Sequence, residues 1–579
     1  MKGKSFVLSA IILALGGFFA KAIGAFYKIP LTNILGSSGM GLYYLIFPVY
    51  SLILTICGSG INVALACEVA KCRRLRHRYN EQKLLRVSLV LGFCMSSVFA
   101  LVIIIICKPL AELQGNINAG IGYIAIAPAI IISTLISTLR GYFQGVENMV
   151  PTTVSLIVEQ IVKLSVGLIL AHKLCGYGIQ YAVLGAIIGV TISEVIALII
   201  IAINFISFRG QLYYNYRNKW YRKKRTNIPK IYIKAQKNIP KTINSSWKST
   251  RFVANSLRIR LTTKDATLKL MKRIFPVTLS SIILPVATML DSFMIINILV
   301  ESGYSSVVST SLYGLWGGVV QSLISLPTII IAGISTSIVP SLSGIVGGDN
   351  VGKVGLRVKF FIKITLILAV FMVAILFVFA EDILYFLYGE GLSKDVVDEM
   401  FYATKMLKIS SISVVYYAFL QTFTAILQTM NKSQIPFWAM LVGLGLKLIL
   451  NIILIRIPSI NIFGAIIANI GFVSIAVLIL AWCIGRLVDI EIELWNGLIL
   501  PIVIGALVAL LMLCIHSGLS QIIHYFVSMV LSAVIGLIIY VICVYFSKVF
   551  GAREKREFLL KRGGFGKKKS KKSVKVSQN

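Results

Sequence analysis

Residues 87–107, VSLVLGFCMSSVFALVIIIIC, hold 21 consecutive positions without an acidic or basic side chain, between Arg86 and Lys108. As a helix rising about 1.5 Å per residue, the stretch crosses a hydrocarbon core of roughly 30 Å. An unbroken run such as Val102–Cys107 excludes the alternation of a membrane β-barrel. Similar stretches recur near 6–28, 41–66, 118–140, 151–173, 182–206, 275–298, 309–340, 358–380, 404–430, 434–456, 463–485, 496–515 and 524–546. The 579 residues are 57% hydrophobic and only 13% charged, about half the charged share of soluble chains. The pattern predicts an all-α integral membrane protein of about fourteen transmembrane helices.

The formal net charge of +36 does not imply a nucleic-acid ligand, because Lys and Arg cluster between the apolar spans. Lys71, Arg73, Arg74, Arg76, Arg78, Lys83 and Arg86 follow the second span, and Lys353, Arg357 and Lys359 follow the eighth. The alternate connections are poor in basic residues or acidic, as from Glu381 through Glu390, Asp395 and Asp398 to Glu399. The positive-inside rule then puts both termini in the cytoplasm of a multi-pass protein of the cell membrane. Lys2, Lys4 and the apolar run before Ala20-Lys21-Ala22 imitate a signal peptide, but a Lys fits a cleavage motif poorly. The nine cysteines show no metal-ligand spacing and read as small buried hydrophobes.

Residues 209–273 carry nineteen Lys/Arg and one acid, Asp265. A second basic block lies at 553–575. Both are candidate contacts for anionic membrane lipids, worth on the order of 1 kcal/mol per basic residue; no nucleic-acid partner is expected. The chain divides into a six-helix bundle at 1–208, the basic insert at 209–273, a second six-helix bundle at 274–486, two helices at 487–548 and a tail at 549–579. A parallel repeat relates the bundles. Pro151, Lys163 and Gly185-Ala186-Ile187-Ile188 recur six spans later as Pro436, Lys447 and Gly464-Ala465-Ile466-Ile467. Such a repeat predicts similar halves with a path between them.

Ionisable residues inside apolar spans cost roughly 2.5–3.5 kcal/mol each at mid-membrane and mark function or pairing. They are Lys21, Lys28, Glu159, Lys163, Glu194, Asp291 and Lys447. Glu159 and Lys163 are spaced i, i+4, which allows a same-face pair. Four cations against three acids suit a phosphate-bearing substrate, with Glu159, Asp291 and Glu194 balancing charge or carrying a coupling ion. No Walker loop, hydrolase triad or metal cluster appears in the sequence, so the reading is a transporter without cofactor, driven by a Na+ or H+ gradient or the membrane potential.

Particular strings resemble the family of stage V sporulation protein B and related polysaccharide-biosynthesis flippases. They are Lys28-Ile-Pro-Leu-Thr with Leu35-Gly36 and Gly39–Tyr43, Arg140-Gly-Tyr-Phe-Gln-Gly145, and Glu159-Gln160-Ile-Val-Lys163. Asp291-Ser292, Leu312-Tyr313-Gly314, Leu326-Pro327, Leu427-Gln428 and Lys447 extend the resemblance over nearly the whole chain. The resemblance implies a MATE-like fold in the superfamily that also holds the MurJ-type lipid II flippases. It further implies a cationic cavity for a diphosphate and sugar headgroup at Lys21, Lys28, Lys163, Lys447, Arg140 and Gln160. Lipid tails would lie in a groove by the last two helices. Lys21 falls where MurJ-type proteins carry a first-helix Arg, whereas Thr55–Gly60 and Gly314–Gly318 replace their later arginines. The expected function is translocation of a polyprenyl-diphosphate-linked saccharide, lipid II or a related cell-wall intermediate, by alternating access. The alternatives are a cation-coupled multidrug exporter and a non-transporting scaffold that recruits cell-wall synthesis enzymes through 209–273.

Overall fold

The computed structural model describes residues 2–75, 77–225, 261–343, 351–389, 398–430, 432, 434–488, 495–547 and 549–550, with backbone alone at 2–11, 209–225, 334–341 and 351–353. Most of the basic insert, the tail, Arg76, Glu390 and Asp395 therefore lie outside the described residues.

In hydrocarbon every backbone N–H and C=O must be satisfied within the protein, and a helix does this segment by segment. All regular structure among the described residues is helical. The first half comprises α1 (Lys2–Leu54), α2 (Gly60–Arg74), α3 (Arg78–Leu113), α4 (Ala119–Gly145), α5 (Val150–Cys175) and α6 (Ile179–Arg225). The second half begins with α7 (Thr263–Ser281), α8 (Ile283–Glu301), α9 (Ser306–Gly314), α10 (Gln321–Ser343) and α11 (Val351–Val378). It continues with α12 (Ala380–Tyr388), α13 (Glu399–Ser411), α14 (Ser413–Thr429), α15 (Gln434–Leu454) and α16 (Phe463–Leu487). The helices α17 (Leu500–Leu519) and α18 (Tyr525–Phe546) close the chain.

Twelve stretches among the described residues are long and apolar enough to span a membrane, and α13 with α14, bent by 41°, makes a thirteenth. The first stretch, Leu15–Arg73, has 59 residues. At about 1.5 Å per residue that is roughly three membrane-core thicknesses, so it is two spans. The division falls at Gly36, whose φ of 65° and ψ of −175° break the helix. Only glycine adopts that backbone conformation without strain. Fourteen spans result.

The repeat is visible in local geometry. A π-helical segment, Thr55–Ser59, continues the second span, and another, Leu315–Val320, continues the eighth, six spans later. A Cβ on Gly185 would lie 2.6 Å from the Leu170 carbonyl oxygen, and one on Gly464 would lie 2.7 Å from the Ile455 nitrogen. Glycine thus lets α5 and α6, and likewise α15 and α16, pack backbone to backbone. The final helices dock on α11: Tyr540 stacks on Phe371 and donates to the Ile367 carbonyl at 3.1 Å. Cys94, Cys175, Cys514 and Cys543 are exposed rather than buried as expected.

Two seams join the halves. On the face opposite the basic connections, the α3–α4 loop inserts into the second half. Gln114 donates to Ser292 Oγ at 3.0 Å and to the Leu45 carbonyl at 3.1 Å, and Asn297 donates to the Leu113 carbonyl at 2.7 Å. Nearby, Ser37 donates to the buried carboxylate of Glu399. The second segment of α1 crosses α9 in backbone contact, because a Cβ on Gly41 would collide with the Thr310 carbonyl and one on Gly314 with that of Ser37. On the basic face the seam runs between α2 and α7, through an Arg273–Glu68 ion pair at 2.7 Å. Replacing Gly314 by Val should cost about 1–3 kcal/mol through overpacking. That loss would appear as a lowered unfolding midpoint of the purified protein; an unchanged midpoint would mean that the α1–α9 contact is not close-packed.

Candidate functional site

Between the seams lies a cavity of about 390 Å³. The first half contributes Tyr44, Phe47, Pro48 and Ser51 from α1. The second half contributes Asp291 from α8, Tyr313, Trp316 and Gln321 from the eighth span, Lys447 from α15, and Asn469 with Phe472 from α16. Helical periodicity explains the set, since Asp291 and Thr288, three apart, share a face of α8, as do Tyr44, Phe47 and Ser51 on α1.

At the second-half wall, Lys447 Nζ lies 2.6 Å from Asp291 Oδ2 and 3.4 Å from Asn469 Oδ1. Asn451, one turn beyond Lys447, donates to Asp291 Oδ1 at 3.1 Å. The Lys447 side chain is 3% exposed and that of Asp291 12%. Neither charge would be tolerable alone there, and each is compensated by the other. The Lys447 ammonium also lies 5.6 Å from the Phe472 ring centre.

The first-half wall is built differently. Lys28 Nζ lies 5.2 Å from the ring centre of Tyr44, and Lys163 Nζ lies 4.7 Å from that of Phe47 and 5.3 Å from that of Tyr27. Of these three rings, Tyr44 and Phe47 line the cavity. Neither ammonium has a carboxylate within ion-pair distance among the described residues. Cation–π contacts of about 0.5–2 kcal/mol hold them but do not neutralise them. Positive charge therefore remains directly behind the cavity wall.

The expected same-face pair of Glu159 with Lys163 does not form. Glu159 instead pairs with Arg140 of α4, Nη2 to Oε2 at 2.7 Å, and accepts from Gln160 Nε2 at 3.0 Å. Arg140 also donates to Ser155 Oγ at 2.7 Å. A guanidinium reaches a carboxylate across two helices with several donors at once, whereas the flexible Lys163 ammonium turns to the aromatic rings. Glu194 is buried on α6 and accepts a hydrogen bond from Tyr50 of α1. Lys21 is exposed on α1 and is not among the residues lining this cavity. Arg140, Gln160 and Glu194 also lie outside its lining, in the network behind it.

Sequence reasoning missed several participants. Asn451, four residues after Lys447, was accessible through helical spacing; Tyr44, Phe47 and Gln321 carried no comparable signal. The Tyr44 hydroxyl and Gln321 Oε1 are buried without a hydrogen-bond partner, on residues that line the cavity. Lys363 of α11, buried in the ninth span, was also missed; it donates to the Val549 carbonyl at 2.6 Å and ties down the end of α18.

A chamber between two pseudo-repeated helical halves, with charged side chains at its wall and a seam at each end, is the construction of a secondary transporter. The profile of the family described as polysaccharide biosynthesis protein matches residues 6–264, and that of the MatE family matches residues 276–453. Stage V sporulation protein B of Bacillus subtilis (strain 168) is 24% identical over 495 residues, 85% of this chain and 86% of the relative. The structure of the lipid II flippase MurJ in an inward closed conformation superposes with a TM-score of 0.64 at 14% identity, covering 92% of this chain and 98% of that one. An inward-facing multidrug resistance MATE family transporter gives 0.59 at 15% identity, covering 82% and 98%. The likeness to these structures is one of fold. The two family matches and the curated relative support a multi-pass membrane transporter of the multidrug, oligosaccharidyl-lipid and polysaccharide exporter type, and the proteins that the chain resembles are transporters rather than enzymes.

Removing one member of the buried Lys447–Asp291 pair should cost about 3–5 kcal/mol. Lys447→Met and Asp291→Asn should each lower the unfolding midpoint strongly, and the double variant should recover part of the loss. Strictly additive losses in that cycle would show that the pair is not coupled.

Proposed function

We propose that this transporter flips a polyprenyl-diphosphate-linked saccharide precursor across the cytoplasmic membrane by alternating access. The observation that carries the reading is the placement of Lys28 and Lys163, with no ion-pair partner among the described residues, over aromatic rings that line the chamber. A diphosphate cannot cross hydrocarbon bare, and ammonium groups beside a secluded chamber supply the missing counter-charge. Asp291 is the one acid of the cavity lining and is already engaged by Lys447. That neutral pair disfavours an organic cation as cargo.

The positive-inside rule assigns the basic face to the cytoplasm. The headgroup then enters by separation of α7 from α2, which breaks the Arg273–Glu68 pair and parts the apolar cluster of Ile61, Leu65 and Val69 with Leu270 and Ile274. Exit requires release of the buried hydrogen bonds around Gln114 and Glu399. Phosphate arriving near Lys447 competes with Asp291 for its ammonium. Asp291 freed in this way becomes the acceptor for a coupling H+ or Na+, with Glu159 and Glu194 balancing charge in the first half. The last two helices present exposed apolar side chains, among them Leu507, Leu510, Ile538 and Val541, to the lipid chain.

The test is a vesicle assay with reconstituted protein, comparing lipid II, other polyprenyl-diphosphate saccharides and organic cations. Each lost charge-assisted contact is worth about 1.5–3 kcal/mol. Lys28→Gln with Lys163→Gln should therefore slow flipping of the diphosphate substrate at least about a hundredfold while the protein remains monodisperse. Undiminished flipping, or transport of organic cations alone, would overturn the reading.

A further inference from the structure

A second cavity, of about 460 Å³, lies away from the chamber, between the start of α3 and the start of α7. Its polar wall carries Lys83 and Arg86 with Tyr79 and Gln82 from α3, and Thr263 and Thr267 from α7. Among the described residues no acidic side chain lines it. The nearest acids in sequence are committed elsewhere. Glu81 is buried and accepts from the Tyr142 hydroxyl at 2.7 Å. Asp265 closes a capping box with Thr262, whose hydroxyl donates to Asp265 Oδ2 at 2.6 Å and holds that carboxyl below its ordinary pKa. Neither Lys83 nor Arg86 has an ion-pair partner among the described residues.

The remaining wall is apolar, formed by Val87, Val90 and Leu91. It continues up the exposed face of α3, where Val90 is 62% and Phe93 51% exposed. Thr267 donates to the Thr263 carbonyl at 3.0 Å. Two cations without an ion pair among the described residues and the Thr263 hydroxyl at the basic end, followed by an apolar surface that runs into the bilayer, match a molecule with a phosphate head and an acyl tail. We propose that this cavity binds an anionic phospholipid of the adjacent leaflet, with its phosphate on Lys83 and Arg86 and its chains along Val87, Val90 and Leu91. A snorkelling basic residue would need no partner helix, whereas here α7 closes the site with Thr263 and Thr267. The bound lipid bridges α3 to α7, the helix whose separation from α2 opens the chamber in the function proposed above, and so holds that seam. The binding itself does not depend on that function.

The purified full-length protein in neutral detergent would be titrated with short-chain phosphatidylglycerol, short-chain phosphatidylcholine and inorganic phosphate. Lys83→Gln with Arg86→Gln should weaken phosphatidylglycerol binding about a hundredfold, since each lost hydrogen bond between a cation and the phosphate contributes about a tenfold factor. The charge-matched control, Arg73→Gln with Arg78→Gln, should change it less than about twofold, a margin below one ordinary hydrogen bond. An equal loss in the control would reduce the effect to diffuse surface charge and overturn the site. Inorganic phosphate competing at the same concentration as the lipid would make it a site for a free anion and overturn the lipid assignment. Should the double variant fail to fold, Thr263→Val keeps every charge. It should weaken lipid binding about threefold to tenfold for one lost hydrogen bond to an anion, and no change would refute the proposed contact.

Discussion

A charge placed inside a membrane protein must be answered by another charge, by dipoles or by a ligand, and the two halves of this transporter answer differently. In the second half Lys447 and Asp291 compensate each other, with Asn451 and Asn469 completing the coordination. In the first half Arg140 takes Glu159, and Lys28 and Lys163 are left resting on aromatic rings. The chamber is consequently lined by one neutralised pair and backed by two cations that form no ion pair among the described residues, with Glu159 and Glu194 acting on Lys163 from further off. In the proposed function an anionic substrate is the counter-charge.

The repeat turns this local asymmetry into a route. Glycine-mediated helix hairpins and π-helical segments recur in both halves, so each is a semi-rigid body able to move against the other. Their contacts are unequal at the two ends. Backbone crossing at Gly41 and Gly314, with the hydrogen bonds of Gln114 and Asn297, makes a dry and directional seam. On the basic face the Arg273–Glu68 pair sits beside a buried apolar cluster in which Ile61, Leu65 and Val69 of α2 pack with Leu270 and Ile274 of α7. That seam carries one ion pair and apolar packing, whereas the opposite one carries a network of buried hydrogen bonds.

Much of the architecture was readable from residues alone because hydrocarbon imposes simple rules. Apolar runs such as 87–107 mark spans, basic clusters mark one face, and the recurrence of Pro151 and Lys163 as Pro436 and Lys447 marks the repeat. The partition of the first-half charges was not readable. Spacing on one helix offered Glu159 to Lys163, but the carboxylate lies within reach of Arg140 on a neighbouring helix, and guanidinium geometry prevailed. Lys21 shows the same limit: one sequence position inside a span does not say which way the helix face turns. The cavity aromatics Tyr44 and Phe47 gave no signal because aromatic residues are common throughout such spans.

The account depends on the chamber being a wet, cation-backed binding site reached from the basic face. In a background without native cysteines, Ser325→Cys places a thiol on the chamber wall, where a membrane-impermeant maleimide reports access from each side. The account predicts labelling from the basic face, and protection by a lipid-linked diphosphate saccharide but not by an organic cation. Labelling that the diphosphate leaves unchanged, or that an organic cation blocks instead, would contradict it.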